Sequence, residues 1–281
     1  MIRTQEVKSR NRTGSSFAER IFSLIKTNTF VTTNLNVKTG KLKNLVKIAV
    51  LSDLHNIEYG KNNFDLVEAV RLSHPDMIAV VGDLMTYGNP DYSVAYSLCR
   101  QIRNIAPVYY TYGNHEYEMV EFHGSKIGED LKKIGINVLD GGYKTVNING
   151  NIIAVSGLEC NPKFYTKYRQ DKLKDFTEDP NFKLLLVHDP GHFDARLKTG
   201  HDRKLIGENI DAALCGHRHG GQWGVPGLGG LFMPDVGFFP KYTSGDNLCG
   251  KTHVIVSRGL GDHHKIMRIN NPHELLVVTF F

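Results

Sequence analysis

One pattern occurs five times in this chain: a short apolar run, typical of a buried β-strand, stops abruptly at polar residues that can bind a metal ion. The runs and the polar residues that follow them are Leu45 to Leu51 before Asp53 and His55, Met77 to Val81 before Asp83, Val108 to Tyr112 before Asn114 and His115, Leu184 to Val187 before His188, and Ala212 to Cys215 before His217 and His219. Strands of this composition are usually covered on both faces. The pattern therefore predicts a buried sheet whose strand ends collect polar side chains.

Helical periodicity separates some of these runs, at Phe64 to Leu72 and at Tyr92 to Ile102. Alternating strands and helices are typical of an α/β fold, in which ligands bind at the carboxyl ends of parallel strands. If the strands run parallel, all five polar endings lie on one edge. The later segments Tyr143 to Ile148, Ile152 to Ser156, His253 to Ser257 and Leu275 to Phe281 are predicted to be hairpin strands of a second, mixed sheet, with a tight turn at Asn149-Gly150.

Composition excludes several classes of protein. A chain of 281 residues with 41% hydrophobic residues is long and apolar enough for one large globular domain and is not disordered. The four cysteines have no C-x-x-C spacing, so neither a disulfide framework nor a thiolate zinc site is indicated. Neither a spanning helix nor the apolar core of a signal peptide is evident, which favours a cytoplasmic location.

Positive charge is concentrated near the N-terminus. Residues 1–47 hold ten Lys or Arg against two Glu, so the rest of the chain carries a net charge of −3 although the total is +5. We divide the chain into a basic segment, 1–44, with a short amphipathic helix through Phe17, Ile21 and Leu24, and a catalytic domain, 45–281. That helix either packs on the domain or lies on an anionic membrane surface, at the inner face of the cell membrane.

Seven of the polar residues at the strand ends have the chemistry of metal ligands: Asp53, His55, Asp83, Asn114, His188, His217 and His219. Crowding them together without a metal would cost desolvation energy. A mixture of histidine nitrogen and carboxylate or amide oxygen suits Mn²⁺, Fe²⁺ or Zn²⁺. Seven donors exceed the needs of one tetrahedral site, and two ions about 3.5 to 4 Å apart can clamp a phosphoryl group. The donor set therefore predicts hydrolysis of phosphate esters.

The five blocks also resemble, in order and spacing, those of the calcineurin-like metallophosphoesterases, over roughly residues 45–281. The blocks are Asp53-x-His55, Gly82-Asp83, Gly113-Asn114-His115-Glu116, His188 and Gly216-His217-Arg218-His219. The segments Gly220-Gly221-Gln222, Ser257 to Gly261 and Arg268 to Leu275 are similar to the bacterial branch described as YkuE- or YaeI-type phosphodiesterases. This resemblance implies a four-layer αββα sandwich of two mixed sheets flanked by helices.

The resemblance also implies roles for individual residues. Asp53, His55 and His219 would hold one ion, Asn114, His188 and His217 the other, and Asp83 would bridge them. A metal-bridging hydroxide would be the nucleophile. His115 would protonate the leaving oxygen or stabilise its developing charge, unless it is a packing residue. The implied substrate is a phosphodiester or pyrophosphate, including nucleotide-linked lipid precursors such as UDP-diacylglucosamine.

Other points stay open from the sequence. Arg218 could contact the substrate phosphate or face the opposite way, and Glu116 could orient a ligand histidine or form a salt bridge. The apolar loop at 224–240 could cap the site or fill a gap between sheets. A nuclease of the same family is disfavoured by the net charge of the body, and a metal-free interaction scaffold by the complete ligand set. We expect neither a nucleic-acid partner nor an obligate protein partner.

Overall fold

The computed structural model describes residues 29–89, 91–139, 141–158, 167–194, 205–225, 229–233, 237–262 and 267–281. The amphipathic helix predicted before residue 29 lies outside these ranges. Among the described residues, no helix combines the length and the apolar character needed to cross a membrane.

The first sheet has six strands in the order β1-β16-β2-β3-β4-β5. Their bounds are β1 Phe30–Val37, β2 Val46–Leu51, β3 Met77–Val81, β4 Val108–Thr111, β5 Asn137–Val138 and β16 His273–Phe280. Strands β2 to β5 run parallel, β16 is antiparallel to β2, and β1 is parallel to β16.

The second sheet also has six strands, in the order β14-β15-β9-β8-β7-β6. Its strands are β6 Tyr143–Ile148, β7 Asn151–Leu158, β8 Phe182–Val187, β9 Ala212–Cys215, β14 Gly245–Cys249 and β15 Thr252–Val256. The four inner strands run parallel and the two outer strands pair antiparallel with them. Two short ribbons follow β9, namely β10 Gly224–Val225 with β11 Gly229–Gly230 and β12 Phe232–Met233 with β13 Gly237–Phe238.

The helices are α1 Phe64–Leu72, α2 Ser93–Ile102, α3 Asn114–His123, α4 Ile127–Ile134 and α5 Lys167–Glu178. Helices α1, α2 and α4 each bury an apolar stripe at helical spacing. Leu66 of α1, Leu98 of α2 and Leu131 of α4 pack against the outer face of the first sheet. Phe176 of α5 packs against the outer face of the second sheet.

Three separate apolar clusters fill the spaces between the layers. Alternation along β2 sends Ile48 and Val50 toward the second sheet, while Ala49 and Leu51 face the helices. The cluster between the sheets also contains Leu184 from β8. Helix, sheet, sheet and helix therefore form four layers, which confirms the predicted αββα architecture.

Strand pairing corrects two expectations. The last strand, β16, joins the first sheet rather than the second, where it pairs with β1 and β2. The five apolar runs are divided between the two sheets, three in the first and two in the second, so the polar endings do not share the edge of one sheet. The first sheet also includes β1, whose residues we assigned to the N-terminal segment. Strand β1 exposes half of its residues and buries only Val37 fully, so its sequence lacks the apolar run of a buried strand.

Candidate metal centre

All seven predicted ligands lie at the carboxyl ends of strands β2, β3, β4, β8 and β9, where the two sheets meet. Three overlapping donor groups form there, each with ligand atoms within 4.8 Å of one another: Asp53, His55 and His219; His55, Asp83 and His115; and Asp83, His188 and His217. Asn114 begins helix α3, and its Oδ1 atom is buried without a hydrogen-bond partner among the described residues. A buried oxygen of this kind, beside carboxylates and imidazoles, suits a divalent cation.

Five of the ligand residues have left-handed backbone conformations. The φ angles are 51° at Asp53, 49° at His55, 54° at Asp83, 68° at His217 and 45° at His219. Such angles are uncommon for residues other than glycine and cost about 1 to 3 kcal/mol each, so the surrounding structure must impose them. Backbone hydrogen bonds do so: the amide of Asp53 donates to Gly82 at 3.0 Å and that of His55 to Asp83 at 3.1 Å. Strain concentrated on these ligands marks the site as functional.

Glycines allow the ligand loops to approach one another closely. A Cβ atom on Gly113 would lie 2.5 Å from the amide nitrogen of Asp83, and one on Gly216 would lie 2.5 Å from Oδ2 of Asp53. Both distances are shorter than carbon atoms tolerate. The glycine that precedes Asn114 and the glycine that precedes His217 are therefore required by packing against the neighbouring carboxylate.

Glu116 performs neither of the roles considered from the sequence. Its carboxylate is fully buried and accepts hydrogen bonds from the backbone amides of Asp83 at 2.8 Å, Met85 at 3.1 Å and Gly113 at 2.9 Å. Burial and the charge of Asp83 raise the pKa of Glu116 to about 7, against the effect of these amides. Glu116 therefore joins the loop that carries Asp83 to the start of helix α3.

Two ligand histidines are oriented by backbone carbonyl groups. Nδ1 of His188 lies 2.7 Å from the carbonyl oxygen of Val81, and Nδ1 of His219 lies 3.1 Å from that of Gly261. A proton on Nδ1 leaves the lone pair of Nε2 for a metal ion. Nε2 of His188 is 3.0 Å from Oδ2 of Asp83, and Nε2 of His219 is 3.5 Å from Oδ1 of Asp53. Both rings therefore present Nε2 to the carboxylates.

Burial and nearby carboxylates set the charges of these imidazoles. Burial lowers the pKa of His217 to about 4 and that of His219 well below its usual range, so both rings are neutral at neutral pH, as metal ligands must be. His188 differs: burial alone would lower its pKa, but Asp83 and Asp53 raise it to about 10. His188, Asp83 and Asp53 could hold a metal ion, which would take the place of that proton.

His115 has the opposite tautomer. Its Nδ1 accepts a hydrogen bond from the backbone amide of Tyr87 at 2.8 Å, so the proton of the neutral ring is on Nε2. That nitrogen lies 3.9 Å from Oδ2 of Asp83. A protonated Nε2 does not ligate a metal but can donate a hydrogen bond, which distinguishes His115 from the predicted ligand histidines around it.

The guanidinium of Arg218 is buried in an ion pair. Its Nη2 atom forms an ion pair with Oδ1 of Asp189 at 2.9 Å, and Nη1 lies 3.4 Å from Sδ of Met233. The side chain is 5% exposed. Contact of Arg218 with a substrate phosphate stays a prediction. Sequence reasoning missed Asp189, although it directly follows the ligand His188.

The comparisons with known proteins agree with this geometry. The family model for calcineurin-like phosphoesterases matches residues 46–221, more than half of the chain, so the chain belongs to that family. It is therefore a metal-dependent phosphoester hydrolase.

Similar curated proteins cover most of the same region. They include the uncharacterized metallophosphoesterase YkuE of Bacillus subtilis, 29% identical over 245 residues, with 83% of this chain and 78% of that protein covered. Phosphodiesterase YaeI of Escherichia coli is 27% identical over 244 residues, with 83% and 81% covered. Among solved structures, TT1561 of Thermus thermophilus matches with a TM-score of 0.49 and 15% identity over 77% of this chain and 91% of that one.

Proposed function

We propose that this protein is a dinuclear phosphodiesterase or pyrophosphatase. Asp53, His55 and His219 hold one divalent ion, Asn114, His188 and His217 hold the second, and Asp83 is shared between them. The observation that carries the proposal is the position of Asp83, which belongs both to a donor group with His55 and to a donor group with His188 and His217. Mn²⁺, Fe²⁺ and Zn²⁺ all suit these nitrogen and oxygen donors.

When bound, the two ions supply a water of lowered pKa and neutralise the charge of the phosphate. The protein provides the remaining chemistry. His115 donates a hydrogen bond from Nε2–H to the leaving oxygen and stabilises its developing charge, because the amide of Tyr87 holds Nδ1 as an acceptor and keeps the ring neutral. Glu116 keeps the loop of Asp83 against the start of helix α3, so that the shared carboxylate and His115 stay in register.

Two observations support a diester with an apolar part. The relative YaeI is named a phosphodiesterase. Phe238 and Phe239 are each 65% exposed on and beside the ribbon of β12 and β13, which follows His219 closely in the chain. Exposed aromatic rings near a polar centre suit a substrate with acyl chains, so we include nucleotide-linked lipids such as UDP-diacylglucosamine. Attraction of the basic segment to anionic membranes stays a prediction.

The test is a metal-reconstituted assay that compares bis(p-nitrophenyl) phosphate, p-nitrophenyl phosphate and UDP-diacylglucosamine. We expect hydrolysis of at least one diester or pyrophosphate above that of the monoester, and loss of activity in Asp83→Asn. Activity on the monoester alone would overturn the diesterase assignment. Full activity of the variant would overturn the shared role of Asp83.

A second variant tests the hydrogen bond to the leaving oxygen. His115→Ala is expected to lower kcat about 100-fold while both ions stay bound, since removing one hydrogen-bond donor to a developing negative charge costs about 10² to 10³ in rate. Metal content is measured by atomic absorption on the same sample. A variant that loses an ion instead would show that His115 is a ligand.

A further inference from the structure

The late segment from Ser257 to Asp262 supplies the carbonyl group of Gly261 beside His219, and it also packs directly against the loop that carries Asp53. We refer to it as the 257–262 loop. The amide of Leu260 donates to the carbonyl of Ser52 at 2.9 Å, and a Cβ atom on Gly259 would lie 2.8 Å from Cβ of Asp53. The loop therefore forms the wall behind Asp53.

Arg268 holds this loop from behind. Its side chain is 6% exposed, and the guanidinium donates to the carbonyl of Arg258 at 2.7 Å and to the carbonyl of Gly261 at 2.5 Å. Its Nε also pairs with Oδ1 of Asp262 at 2.7 Å. The planar fork of an arginine can make these contacts together, whereas a lysine cannot.

The same guanidinium reaches a predicted metal ligand. Nη2 of Arg268 lies 3.0 Å from Nδ1 of His219, and that nitrogen is itself 3.1 Å from the carbonyl of Gly261. Arg268 and His219 thus share one carbonyl group. A change in the position of that carbonyl would change the rotation of the imidazole ring.

The arginine is itself held by a chain of further side chains. Oδ2 of Asp262 is 3.1 Å from Nε2 of His273, and Nδ1 of His273 is 2.8 Å from the hydroxyl of Tyr59. Tyr59 is fully buried and donates to the carbonyl of Leu260. This chain of contacts joins strand β16 to the 257–262 loop and so gives the guanidinium a defined position.

We propose that Arg268 is a positioning residue for His219, which it orients by holding the carbonyl of Gly261. The ring then presents Nε2 to the ion held with Asp53 and His55. This inference rests on the proposed dinuclear site. Its consequence is specific: loss of Arg268 weakens that ion, while the ion of Asn114, His188 and His217 stays bound.

The experiment measures Mn²⁺ binding to the chelated, full-length protein by isothermal titration and by electron paramagnetic resonance. The variants are Arg268→Ala and Arg268→Lys. The matched control is Arg258→Lys, because Arg258 anchors the same loop through Glu274, with Nε 3.0 Å from Oε1, and contacts no ligand histidine among the described residues. Melting temperatures are recorded for every variant.

We expect two ions in the wild type and in Arg258→Lys, and at least tenfold weaker binding of one ion in Arg268→Ala. Arg268→Lys should lie between, since an ammonium group can still donate to Gly261. In an Asn114→Ala background, where one ion remains, adding Arg268→Ala should release it.

Wild-type affinity at both sites in Arg268→Ala would overturn the inference, as would equal weakening at both. Should Arg268→Ala not fold, Arg268→Lys decides: unchanged binding overturns the inference, and selective weakening supports it. If the wild-type protein does not bind two ions, the proposed function is contradicted instead. The titration of the wild type by itself reveals that outcome, so the two failures can be told apart.

Discussion

Replacing Gly113 by alanine tests whether close packing of two loops places the shared carboxylate. The φ angle of Gly113 is −87°, which alanine adopts without strain. The added Cβ would lie 2.5 Å from the amide nitrogen of Asp83 and 2.6 Å from its Cγ. The effect of the substitution is therefore steric, and it falls on the backbone and side chain of one metal ligand.

The expected magnitude follows from two opposing contributions. Overpacking destabilises a protein by about 1 to 3 kcal/mol. We expect the upper half of that range here, because the backbone nitrogen of Asp83 cannot rotate away from the added Cβ as a side-chain atom could. Replacing glycine by alanine also lowers the conformational entropy of the unfolded chain, which stabilises the folded protein by about 0.4 to 1 kcal/mol. We expect Gly113→Ala to lower the free energy of unfolding by about 1 to 2 kcal/mol and to weaken metal binding at least tenfold, about 1.4 kcal/mol.

Urea denaturation of the chelated protein measures the free energy of unfolding, and Mn²⁺ titration measures the metal affinity. The control is Gly250→Ala, at a φ of 61° with no atom within 4 Å of the added Cβ. It should lose about 1 kcal/mol of stability through backbone strain and keep wild-type metal affinity. If Gly113→Ala binds two ions as tightly as the wild type, the contact between the loops does not place Asp83.

Three further predictions concern other parts of the fold. Burial would raise the pKa of Asp262, but the hydrogen bond from His273 and the charge of Arg268 lower it to about 2. The ionised carboxylate therefore stabilises the fold at pH values above its ordinary pKa of 3.8, and this stabilisation is lost as the pH falls toward 2. Melting curves of wild type and Asp262→Asn should differ at pH 5 and converge near pH 2, and a constant difference would contradict this. Asp189→Asn leaves the buried charge of Arg218 unpaired and should cost about 3 kcal/mol in urea denaturation; a loss below about 1 kcal/mol would refute the ion-pair argument. Thr111→Val removes a hydrogen bond of 2.9 Å to the carbonyl of Leu158, which joins the two sheets; it should cost about 1 kcal/mol without loss of either ion, as checked by denaturation and metal analysis.

Local features of the chain could be predicted well. Helix α1 and strands β3 and β9 have the predicted bounds, because apolar periodicity and strand length depend on residues that are neighbours in the chain. The turn at Asn149-Gly150 is confirmed, with φ angles of 51° and 79° that suit a tight hairpin. The seven donors could be named for the same reason, since each directly follows a strand.

The pairing of strands that are far apart in the sequence could not be predicted from the sequence. Strand β16 pairs with β1 across almost the whole sequence, with Phe30 opposite His273. Nothing in the local pattern of either strand selects that partner, because the choice depends on which apolar faces remain uncovered after the other strands have paired. The division of the ligand strands between two sheets has the same origin.

The sequence by itself determined individual strands and helices and the chemistry of the donors, because residue type and spacing encode both, whereas the four layers were expected only from the family resemblance. The tertiary structure decided how those donors are held: the left-handed angle at Asp83, the three amides on Glu116, and the guanidinium of Arg268 behind His219. Each of these depends on contacts between segments far apart in the chain. Their geometry exists only after the two sheets have packed, so no local pattern encodes it.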